Sequence, residues 1–87
     1  MTGTEAIRTI RLCRQKNEIF GLIFVTMDGE IRKIDNCVLR SAPRTMHDTD
    51  RFLYFTDNDT LEPKQCRKRL IRQVRVGNEW HKVEWFN

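Results

Sequence analysis

The chain has no long apolar run. Its longest, Ile19 to Val25, is interrupted by Gly21 and is far too short to span a bilayer. No secretory h-region follows Met1, so the expected setting is cytoplasmic, with no membrane partner. Cysteine is sparse as well. Cys13, Cys37 and Cys66 are odd in number, widely spaced and free of any Cys-x-x-Cys pair. That excludes the even disulfide framework of a small secreted domain and predicts reduced thiols. Gly-rich phosphate loops, nucleophile elbows and paired catalytic carboxylates are also missing. Finally, no acid occurs between Lys64 and Arg75, a stretch that holds Lys64, Arg67, Lys68, Arg69, Arg72 and Arg75.

What is present describes one small folded unit spanning residues 1–87. Eighty-seven residues suffice for a single domain, and at this size only about 60% of the unfolded chain's surface is buried. A hydrophobic fraction of 39% with a charged fraction of 32% belongs to a solvated globular chain rather than a disordered one. Net charge is +4, and the acids Asp48, Asp50, Asp57, Asp59 and Glu62 lie just upstream of the basic stretch. Such asymmetry suits an anionic partner, although a solvated face explains most charge runs.

The pattern of residues predicts mainly β structure. A helix is expected over residues 4–17, capped by Thr4, with Ala6, Ile7, Ile10 and Cys13 on its apolar stripe. Arg8, Arg11, Arg14 and Lys16 fill its other side. Residues 19–26, rich in β-branched and aromatic side chains, read as the most buried strand. Asp28-Gly29 marks a hairpin turn into a strand over 30–37, with Ile31 and Ile34 as its main core residues. A loop with Pro43 runs from Ser41 to Asp50 and reads as the most flexible element. Strands follow at 51–56 and 65–69, separated by a turn over 57–63. The last hairpin pairs Val74 with Val83 and Arg72 with Trp85, its turn lying over 77–80. About five antiparallel strands with an N-terminal helix make an α+β or small-barrel pattern, with the barrel over 19–86.

Two resemblances follow from these residues. The hairpin Phe24-Val25-Thr26-Met27-Asp28-Gly29-Glu30-Ile31-Arg32-Lys33, the strand Tyr54-Phe55-Thr56-Asp57-Asn58-Asp59 and the basic segment ending in Leu70-Ile71 resemble small SH3-like β-barrel proteins of Bacteroides-type bacteria and their phages. That resemblance covers roughly residues 4–76 and implies an SH3-like barrel with no defined activity. More faintly, Phe52, Leu53, Asp57, Lys64, Arg67 and Ile71 resemble the core of WYL domains, which sense ligands or nucleic acid. Pro63 stands where those domains carry a Trp. This second resemblance implies Lys64 and Arg67 as anion contacts.

Candidate chemistry narrows to binding. If Cys66 points inward, period 2 turns Arg67 and Arg69 outward, and Arg75 follows on the last hairpin. Tyr54, Trp80 and Trp85 supply aromatic faces beside them, and basic grooves with aromatic platforms hold single-stranded nucleic acid. The candidate contacts are therefore Lys64, Arg67, Arg69, Arg72, Arg75, Tyr54 and Trp85. The alternative is an adaptor or inhibitor that binds one protein through Trp80, Trp85 and Phe86, since Trp and Arg dominate interface hot spots. His47 and His81 share no short-spacing motif with a cysteine, so no metal is expected. A Cys66–His81 nucleophile pair is conceivable, but an inward mid-strand cysteine reads as a small hydrophobe, and it is expected to be the least accessible thiol. No cofactor and no catalysis are expected.

Overall fold

A computed structural model describes residues 1–41 and 49–85. Pro43, His47, Asp48 and Phe86, with most of the expected loop, lie outside the described residues.

Helix α1 spans Gly3–Gln15 and begins two residues earlier than the cap at Thr4 predicts. Thr2 is the cap because only it has a glutamate three residues on. Its hydroxyl accepts from the Glu5 amide at 3.2 Å, and the Glu5 carboxylate accepts from the Thr2 amide at 3.0 Å. That second bond holds the Glu5 carboxyl below the ordinary carboxylate range. The helix ends where Asn17 adopts a φ of 57°, letting the Glu18 amide reach the Cys13 carbonyl and the Asn17 amide the Arg14 carbonyl. Ala6, Ile10 and Cys13 recur at helical spacing and are buried.

Six antiparallel strands form one sheet: β1 (Phe20–Val25), β2 (Ile31–Leu39), β3 (Phe52–Asp57), β4 (Glu62–Arg67), β5 (Ile71–Val76) and β6 (Glu79–Lys82). Their order is β4-β3-β2-β1-β5-β6, so β4 and β6 form its edges and no described pairing joins them into a closed barrel. Among the described residues no helix is long and apolar enough to cross a membrane.

Two bulges decide which side chains enter the core. Phe20 pairs with Cys37 but Leu22 with Ile34, so Gly21 faces both Asp35 and Asn36. On the other side of β1, Ile23 pairs with Gln73 and Phe24 with Ile71, leaving Arg72 as the extra residue. Ile71 and Val74, three apart, are therefore both fully buried, and so is Cys37 beside a partly buried Ile34. Ile31 pairs with Val25 on the opposite face and is 76% exposed, so it is no core residue. Cys37 takes the place expected of it. The largest fully buried side chains are Phe20, Leu22, Phe55, Ile71 and Val74 of the sheet and Ile10 of α1. Phe24 and Phe55 meet edge to face at 6.1 Å.

Three further boundaries differ from expectation. Strand β4 starts at Glu62 and includes Pro63, because an edge strand tolerates a residue without an amide donor. The preceding turn is confined to residues 58–61, where the Asp57 carboxylate accepts from the Asp59 amide. Residues Thr49–Arg51 form a 3-10 turn, η1, and Lys68–Leu70 a second, η2, rather than more strand. In the last hairpin Val76 pairs with Glu79 and Val74 with His81, two residues out of the expected register. A two-residue loop, Gly77-Asn78, suffices because Gly77 takes a φ of 60°. A shift of two keeps the same faces, so Val74 still points inward.

A basic groove between the helix, the 3-10 turns and Trp85

The C-terminal segment returns to the start of α1. The Glu84 carbonyl accepts from the Gly3 amide at 2.8 Å, and the Glu84 amide donates to the Met1 carbonyl at 2.8 Å. This lays the Trp85 indole directly on Gly3, where any β-carbon would stand 2.1 Å from the ring. The indole N–H donates to the Ile71 carbonyl at 2.9 Å. Trp85 is thus half-buried and pinned, with its remaining surface on two adjoining concave regions.

One of these, about 370 Å³, is lined by Asp50, Arg51, Arg67, Lys68, Arg69 and Trp85. The other, about 340 Å³, lies along the helix between Thr4, Arg8, Arg11 and Trp85. A third cavity of about 420 Å³ borders both, sharing Arg11 with one and Lys68 and Asp50 with the other, and adds Arg14, Arg40, Ser41 and Tyr54. Eight cationic side chains line the groove that these neighbouring cavities outline, and Asp50 is the one carboxylate among its described residues. Burial and the charge of Arg11 hold the Lys68 ammonium below its ordinary range, with Asp50 pulling the other way.

The candidate residues fare differently. Arg67, Arg69 and Trp85 meet in the groove. Arg69 is exposed as expected, although it lies on η2 rather than on a strand, and Arg67 is only half-exposed. Arg67 lies over the Phe52 ring at 5.3 Å, its buried Nε without a hydrogen-bond partner. Arg72, an exposed bulge residue, donates to the Arg69 carbonyl at 3.1 Å and lines none of the three cavities. Lys64 sits on edge strand β4, with three strands between it and β5 in the sheet order. Arg75 holds the first bulge together, donating to the carbonyls of Asp35 and Gly77 and to the Asn36 side chain. Lys64 and Arg75 therefore belong to different parts of the sheet. Tyr54 is only 3% exposed and offers no stacking face. Trp80 covers Gly21 beneath the Lys33 ammonium, 5.3 Å from its ring centroid.

Residues that sequence reasoning left out are Arg8, Arg11 and Arg14 of α1, together with Arg40 and Arg51. Their signal was there, since the three helix arginines recur every third residue opposite the buried stripe. Nothing local told that this side faces η2 and Trp85.

Nucleophilic chemistry finds no support. The three thiols are unbridged and buried. Cys37, at 0% exposure, is less accessible than Cys66 at 6%, contrary to expectation. Desolvation pushes the thiols of Cys37 and Cys66 up to about 12, so the cations near Cys66 do not yield a thiolate at neutral pH. Among the described residues no group of three potential metal ligands converges. No family model, curated protein or solved structure matches this chain.

Proposed function

We propose that the chain is a small non-catalytic binding module that holds single-stranded nucleic acid in the groove between α1, η2 and Trp85. The observation that carries this is the groove's composition: among the described residues, eight cations around one carboxylate, with a pinned indole lining two of its cavities. A cationic channel tracks phosphates without regard to sequence, and a fixed aromatic ring adds base stacking. Two features support an SH3-like sheet: strand bulges, which bend and twist strands at barrel rims, and Gly21 at the first of them. Unbridged thiols support a reducing, cytoplasmic setting.

The test is fluorescence anisotropy with a labelled single-stranded oligonucleotide across a salt series. Three or four phosphates engaged at once give a slope of log K against log salt of roughly −2 to −3. Replacing the exposed Arg8 and Arg51 with Gln flattens it by about one unit. Absence of binding at low salt, with one protein recovered by pull-down, would overturn this reading in favour of the adaptor.

A further inference from the structure

Arg11 and Lys68 share one wall of the cavity between α1 and the ends of β2 and β3, and neither makes an ion pair with a described acid. Arg14 and Arg40 line the same cavity and are already positioned, one by the Ser41 hydroxyl at 3.1 Å, the other by the Phe55 carbonyl at 3.2 Å. Arg40 also lies over the Tyr54 ring, 5.6 Å from its centroid. The hydroxyl of Tyr54, buried at this cavity, has no hydrogen-bond partner among the described residues. Among the described residues, four cations against the single carboxylate of Asp50 leave a formal excess of three positive charges at one concave place.

That excess discriminates between kinds of phosphate. A backbone phosphodiester carries one negative charge and spreads its neighbours along the strand. A phosphomonoester carries about 1.5 to 2 charges on three terminal oxygens, the form that converging cations match best. We propose that this cavity is a phosphomonoester subsite, in which Arg11 and Lys68 contact a terminal phosphate while the remainder of the ligand runs along the groove past Trp85. For its source the inference rests on the nucleic-acid reading above: a strand would present a 5′-phosphate end. A free phosphorylated small molecule offers the same chemistry.

The experiment compares one oligonucleotide carrying a 5′-phosphate with the same oligonucleotide carrying a 5′-hydroxyl, using the full chain, and adds inorganic phosphate as competitor and as sole ligand in a melting assay. The expected result is about tenfold tighter binding of the 5′-phosphate form, a preference lost in Lys68→Met and Arg11→Gln and erased by competing inorganic phosphate. Arg72→Gln, outside the cavity, keeps the preference. Inorganic phosphate should raise the melting temperature of the parent chain but not of Lys68→Met, which reads the subsite without any oligonucleotide. If neither oligonucleotide binds but this phosphate shift appears, the subsite stands with a small-molecule source and the nucleic-acid reading fails. If both oligonucleotides bind equally and phosphate leaves the melting temperature unchanged, the subsite is overturned and groove binding survives. A preference that persists in Lys68→Met and Arg11→Gln also overturns it, since the phosphate is then held elsewhere.

Discussion

Gly3→Ala is the substitution whose outcome the structure determines most sharply. In an isolated helix the change would be favourable by about 1 kcal/mol, because alanine loses less conformational freedom than glycine. Here the added β-carbon would stand 2.1 to 2.6 Å from three atoms of the Trp85 ring, so the indole must leave its seat. Its departure breaks the N–H bond to the Ile71 carbonyl, costing about 1 kcal/mol. Forcing an extra carbon against packed atoms costs roughly 1–3 kcal/mol more. The balance is a destabilisation of about 2 kcal/mol, which lowers the melting temperature of a domain this size by roughly 8–16 °C. Thermal unfolding followed by circular dichroism measures the shift, and a red-shifted tryptophan emission reports the displaced ring. In a Trp85→Ala background the sign should reverse, with Gly3→Ala now stabilising by about 1 kcal/mol through helix propensity alone. A Gly3→Ala chain that melts at or above the parent temperature would refute the packing of Trp85 on the helix start.

Other outcomes follow from burial. Cys37 and Cys66 have thiols raised from 9.0 to about 12. The unfolded chain therefore ionises first, and stability that is full well below pH 9 falls as pH rises, by about 1 kcal/mol for each thiol between pH 9 and 10. Urea midpoints measured at pH 7, 9 and 10 should decline slightly to pH 9 and more steeply over the last interval; a flat series contradicts the desolvated thiols. Tyr54→Phe deletes a buried hydroxyl that has no partner, so it should leave stability unchanged or raise it by up to about 1 kcal/mol. A clear loss in urea titration would mean that the hydroxyl is bonded in solution.

Much of the local structure was legible because it depends on neighbours in sequence. Ala6, Ile10 and Cys13 announced the buried stripe of α1, and Gly29 and Gly77 marked turns that need a positive φ. The Thr2 cap was equally local, given by Glu5 three residues on, and was missed only by choosing the wrong threonine. Alternation misled wherever a strand bulged. Ile34 with Cys37, and Ile71 with Val74, are three residues apart and still share a face. A period of 2 cannot show that; Ile31 and Ile34 flank no bulge, so there alternation holds and sets Ile31 on the exposed face, against the expectation that both enter the core. The same assumption carried a strand through Lys68 and Arg69, which lie in a turn.

For the candidate site, the division runs along sequence separation. Composition and local pattern by themselves determined a small mainly-β domain with an N-terminal helix, an excess of positive charge and thiols without an even pairing set. Only the tertiary structure decided which cations stand together. It drew Lys64 and Arg75 apart by placing β4 and β5 on different sides of the sheet. It brought Arg11 of the helix beside Lys68 of η2, fifty-seven positions away. The physical reason is that one residue's charge is visible in the sequence, whereas the potential of a groove is a sum over distances. Those distances were set by two bulges, a 3-10 turn and a tryptophan seated on a glycine.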